Sequence, residues 1–91
     1  MKALRVVITG RVQGVGYRAW MVREATRLGV QGWVRNRRDG AVEALLAGEI
    51  AAVQGLLLLC RRGPFLARVD AIAEEFADPP EEPGFRQRTD G

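Results

Sequence analysis

Residues 4–29, LRVVITGRVQGVGYRAWMVREATRLG, hold the transition that decides the architecture. In LRVVIT, residues 4–9, Leu4, Val6 and Ile8 fall on one face, the period-2 pattern of a strand, and Gly10 is expected to end it. From Tyr17 the period changes. Met21, Val22, Ala25 and Leu28 recur at helical spacing with Arg23, Glu24, Thr26 and Arg27 opposite, and Gly29 stands where a left-handed C-cap belongs. A strand thus passes through a glycine-rich connection into an amphipathic helix, which is the first half of a β-α-β unit.

Working outward, Gln31 to Asn36 and Ala41 to Ala47 read as two strands joined by Arg37-Arg38-Asp39-Gly40. The Asp-Gly pair supplies the positive φ of a tight hairpin, so these strands are expected to pair antiparallel. A second helix is expected from about Glu49 to Arg62, with a carboxylate in its first turn and Ile50, Val53, Leu57 and Cys60 along one stripe. Arg61 and Arg62 fall in its last turn, and Gly63-Pro64 stops it. Arg68 to Phe76 reads as a strand whose alternation Glu74 and Glu75 interrupt, and after the loop of Pro79, Pro80 and Pro83, Phe85 to Arg88 reads as a short final strand. The order β-α-β-β-α-β predicts a ferredoxin-like α+β sandwich, an antiparallel sheet with both helices on one face and a short extra strand at the end.

Composition bounds what such a domain can do. Ninety-one residues, 47% hydrophobic and 27% charged, suffice for one core, so residues 1–91 are expected to form a single domain. With no histidine and only Cys60, neither the usual zinc and copper ligand sets nor a Ser-His or Cys-His nucleophile pair can be assembled, so no metal is expected. A Cys-x5-Arg phosphatase loop also fails, because Leu66 stands where its arginine would be. The longest apolar run is Leu56 to Cys60, and the N-terminus lacks the roughly 7- to 15-residue apolar region of a secretory signal, so the expected location is the cytoplasm, with no membrane contact. The charge is segregated. Residues 1–38 carry nine cations against Glu24 alone, a net +8, while residues 39–91 carry five arginines against ten carboxylates, a net −5. A positive half points to an anionic partner, either nucleic acid or a small phosphorylated or carboxylated molecule.

The connection GRVQGVGYR, residues 10–18, is where chemistry concentrates. Gly10, Gly14 and Gly16 strip side chains from a loop entering a helix N-terminus, so backbone N–H groups converge, the helix dipole adds partial positive charge, and Arg18 adds a bidentate guanidinium. Phosphate is the ligand that uses all three. The loop is neither a Walker A motif, since it has no lysine, nor a G-x-G-x-x-G dinucleotide turn.

GRVQGVGYR, together with LGVQGWVRNRRDGAVEALLAGE (residues 28–49) and RRGPFLARVDAI (residues 61–72), closely resembles the acylphosphatase family, over about residues 4–76. The ending EEPGFRQRTDG departs from that family's aromatic closing strand and shares with it only Phe85 and Arg86. The resemblance implies the ferredoxin-like sandwich and hydrolysis of the carboxyl-phosphate bond of acyl phosphates without metal or cofactor. It implies that Arg18 binds substrate, that Asn36 is catalytic, and that Gln13, Gly14, Val15, Gly16 and Tyr17 cradle the phosphoryl group with Arg18. It further implies a small-molecule acyl phosphate as substrate, with inorganic phosphate or sulfate as site ligand; the working form is expected to be a monomer. An asparagine is no base at neutral pH, so Asn36 would orient the attacking water, whose proton passes to the substrate's own phosphate.

Two other readings compete. A ferredoxin-like sheet can bind RNA, but such sheets use exposed aromatics on central strands, and neither LRVVIT nor AVEALLA (residues 41–47) has one, so no nucleic-acid partner is expected. Acylphosphatase-like domains also occur as parts of larger hydrogenase-maturation proteins, which would make this a regulatory module. Trp33 reads as a core or sheet-face aromatic, Tyr17, Trp20 and Arg35 as packing or pocket-mouth residues, Cys60 as a small buried hydrophobe, and Arg37 and Arg38 as solvated hairpin charges.

Overall fold

The computed structural model describes residues 3–91. Its elements are β1 (Ala3–Arg11), α1 (Tyr17–Leu28), β2 (Gln31–Asn36), β3 (Val42–Ala47), α2 (Ile50–Arg62), β4 (Arg68–Ala77) and β5 (Phe85–Gln87). The sheet order is β4-β1-β3-β2-β5. The β1–β3, β1–β4 and β2–β3 pairs are antiparallel, and β5 adds to β2 in parallel, which makes the sheet mixed rather than wholly antiparallel. The architecture is the ferredoxin-like sandwich with one short extra strand.

Both helices lie on the face that carries the larger apolar cluster, while a smaller one of Ala3, Leu45 and Ala47, flanked by Trp33 and Ala77, lies on the other face. Val6 and Ile8 of β1, Val34 of β2 and Val42, Ala44 and Leu46 of β3 form one buried cluster with Met21 and Ala25 of α1 and Val53, Leu56 and Cys60 of α2. Each larger aliphatic side chain in this layer contributes about 1.5 to 3 kcal/mol by leaving water. Tyr17 is buried among them, and its hydroxyl donates to the Cys60 carbonyl at 2.6 Å, so its one polar atom is satisfied.

The departures from the expected boundaries have local causes. β1 does not stop at Gly10 but runs to Arg11, because β4 continues to pair with it past a register shift between Thr9 and Gly10. Glu49 lies outside α2, as its extended N-cap, so the first turn of that helix carries no carboxylate. The broken alternation of β4 reflects its place at the sheet edge. There Glu75 reaches Arg5 at 2.6 Å on the open face, while Glu74 reaches toward Arg61 of α2 at 4.0 Å.

Candidate active site

β1 and β2 both run antiparallel to β3, so they are parallel to each other and end at the same edge of the sheet. Asn36 closes β2 opposite Val42, and Val42 in turn lies opposite Ile8 of β1. The chain leaves β1 at Arg11 and turns through residues 12–16 into α1, which therefore starts at this same edge. Because Asn36 keeps the strand phase of Val34, it faces the helix layer, as the loop does. Residues far apart in sequence thus converge on one cavity of about 250 Å3, lined by Val12, Gln13, Gly14, Gly16, Tyr17, Arg18, Ala19, Asn36 and Gln87.

Local backbone shapes the cavity floor. Gly14 and Gly16 take φ of 74° and 79°, the left-handed region, and Gly16 is the N-cap of α1. The cap offers no side-chain hydrogen bond, and no acidic residue occupies the first turn. The opening N–H groups and the positive end of the helix dipole therefore face the cavity without a carboxylate from their own helix, and Arg18 adds a guanidinium beside them. Together these groups can bind a tetrahedral oxyanion from several sides.

The expected residues do not all contribute in the same way. Gly14, Gly16, Arg18 and Asn36 line the cavity. Gln13 lines it too, but its Nε2 donates to the carbonyls of Arg37 (2.8 Å) and Ala41 (2.9 Å), so its side chain tethers the loop to the β2–β3 hairpin. Val15 packs against the hydrophobic core instead of lining the cavity, and Tyr17 turns its ring inward, leaving its backbone at the loop's end. Burial pushes the Cys60 thiol up to about 12, which keeps it protonated and inert near neutral pH. Asp39 accepts from the Ala41 N–H at 3.0 Å, and this bond, with Arg37 beside it, holds its carboxyl below the usual range and closes the hairpin.

Two residues at the site carried no signal in the sequence. Gln87 enters through the parallel addition of β5 to β2, and Asp90 reaches Arg18 Nη1 at 3.0 Å from 72 positions away. Arg35 and Trp33 lie on the opposite, open face of the sheet. There Arg35 pairs with Glu43 at 2.8 Å, and the guanidinium carbons of Arg88 and Arg35 sit 4.8 and 5.4 Å from the Trp33 ring centre.

Comparison with known proteins converges on one family. The sequence model of the acylphosphatase family matches residues 4–87. The chain is 58% identical to an acylphosphatase of Acidiphilium cryptum (strain JF-5) over 91 residues, the whole of both chains. It is 62% identical over 71 residues to one from Nitrobacter hamburgensis, covering 78% of this chain and 72% of that one. Among solved structures, that of acylphosphatase from Bacillus subtilis superposes with a TM-score of 0.90 at 34% identity, over 97% of this chain and 99% of that one.

Proposed function

The chain belongs to the acylphosphatase family, and we propose that the glycine loop, Arg18 and Asn36 form its active site. It is an acylphosphatase, a hydrolase that splits acyl phosphates into a carboxylate and inorganic phosphate. In the proposed mechanism Arg18 and the N–H groups of residues 13–18 bind the phosphoryl oxygens, and Asn36 orients a water against phosphorus. The water oxygen bonds to phosphorus as the carboxylate departs with the bonding electrons, and the water's proton goes to the phosphate formed. The leaving group is already good, so positioning and charge neutralisation suffice, and no protein nucleophile takes part.

The observation that supports this most is the meeting of Arg18 and Asn36, from α1 and β2, on a single cavity above the loop. The reading takes the chain as a monomeric single domain acting in the cytoplasm on a small molecule, with phosphate or sulfate as site ligand. No helix among the described residues is long and apolar enough to cross a membrane. Purified protein should hydrolyse benzoyl phosphate at an undiminished rate in excess EDTA, because the neutralising charge is supplied by Arg18 and backbone amides. Activity abolished by the chelator and restored by magnesium would contradict the mechanism.

A further inference from the structure

The segment after β5 lies along the site and brings a carboxylate into it. The Arg88 N–H donates to the Val34 carbonyl at 2.8 Å, the Gly91 N–H donates to the Asn36 carbonyl at 3.0 Å, and the Arg38 N–H closes on the Gly91 carbonyl at 2.9 Å. Between these anchors β2 advances from residue 34 to 36, while the segment advances from 88 to 91, so it carries one residue more than a regular ladder. Phe85 and Gln87 face the helix layer, and Arg88 lies over Trp33 on the open face. Plain alternation would leave Asp90 on the open face with Arg88. The extra residue turns it to the other side, where its Oδ1 accepts from Arg18 Nη1 at 3.0 Å.

The contact is placed to compete and is weak enough to be exchanged. A carboxylate meets a guanidinium with the same oxygen geometry as a phosphoryl group. Both side chains remain partly open, Arg18 at 34% and Asp90 at 59% exposure, a setting in which ion pairs are worth little. A bound phosphoryl group would meet a neighbouring negative charge and a guanidinium already engaged.

Resting on the reading of Arg18 as the phosphoryl-binding residue, we propose that Asp90 is an affinity-setting residue of this site. Its carboxylate holds Arg18 in the ligand-free enzyme, is displaced by the incoming phosphoryl group, and returns to Arg18 as inorganic phosphate leaves. It therefore weakens substrate and product binding together and limits product inhibition.

The test compares wild type with Asp90→Asn, Asp90→Glu and Arg18→Ala by benzoyl phosphate hydrolysis and inhibition by inorganic phosphate at low salt. In Asp90→Asn the KM and the phosphate inhibition constant should both fall, by about two- to fivefold. Asp90→Glu should restore values near wild type, and the difference should shrink as salt is added. Unchanged constants in Asp90→Asn would overturn the proposal, and so would a raised KM with a lowered kcat, the signature of a carboxylate that only orients Arg18. Phosphate affinity retained in Arg18→Ala would remove the reading of Arg18 and this proposal with it. Affinity lost there, with Asp90→Asn unaltered, would overturn this proposal alone.

Discussion

In the proposed mechanism Arg18 and Asn36 act differently on the same phosphoryl group, and kinetics can separate them. Arg18→Ala removes a charge-assisted contact present in ground and transition states, so phosphate affinity should fall by about 2 to 3 kcal/mol and turnover should collapse with it. Arg18→Lys should not rescue, because a point charge cannot reproduce the planar fork. Asn36→Ala removes only the group that aims water; phosphate should bind within roughly threefold of wild type while kcat falls on the order of a hundredfold. Neither residue belongs to the buried core, so both variants should melt within a few degrees of wild type. Phosphate titration and steady-state rates check each case, and near-normal turnover by folded Asn36→Ala would remove the mechanism. Gln13 was readable as a loop residue but not as a tether, since its acceptors belong to a hairpin whose distance from the loop no local pattern encodes. Gln13→Leu should lower kcat more than it weakens phosphate binding and cost about 1 kcal/mol of stability, because Arg37 and Ala41 carbonyls each keep another donor.

At the scale of elements, the loop and helix α1 share one residue on which both depend. Gly16 is at once the N-cap of α1 and the last glycine of the loop before it, with φ of 79° and no atom within 4 Å of where a Cβ would stand. Gly16→Ala is therefore free of clash, and its cost is conformational, about 1 to 2 kcal/mol for an L-residue held left-handed. Urea unfolding should register that loss, and phosphate titration should show weaker binding as the N–H groups splay. Unaltered phosphate affinity would show that binding does not depend on this turn. The span of α1 was legible in full from Tyr17 and Gly29, because helical period and capping are local. The end of β1 was not, because the pairing of Gly10 and Arg11 is supplied by β4, some 58 residues on.

Across the whole molecule folding undoes the charge segregation of the sequence. Arg5, Arg18, Arg35 and Arg37, all from the positive half, pair with Glu43, Glu75, Asp90 and Asp39 from the negative half. Glu43 is the centre of this exchange, 3% exposed on the open face and bonded by both Arg5 and Arg35. Burial alone would raise its pKa, but the hydrogen bonds and charge of the two arginines outweigh burial and hold it below the ordinary value of 4.5. A carboxyl with a lowered folded-state pKa stabilises the fold fully above its unfolded pKa and loses that contribution as pH falls through the folded one. Stability should therefore decline as pH drops below about 4.5. Glu43→Gln should be about 1 to 2 kcal/mol less stable at pH 7, and the gap should close toward pH 3. Urea midpoints from pH 7 to 3 measure both, and a gap independent of pH would show that the Glu43 charge contributes nothing.

What the amino-acid sequence determined by itself was the order of elements, the apolar face of the helices and inner strands, the glycine turn into α1 and, through its resemblance to one family, the expectation that Arg18 and Asn36 act together, which the fold meets by setting both on one cavity. Each rests on the period of a few neighbouring residues or on a motif contiguous in the chain. Only the tertiary structure decided which carboxylates meet which arginines, that Gln13 braces the hairpin, that β5 joins β2 in parallel, and that Asp90 lies on Arg18. These depend on register between distant strands, where a shift of a single residue, as between Arg88 and Gly91, moves a side chain to the other face of the sheet.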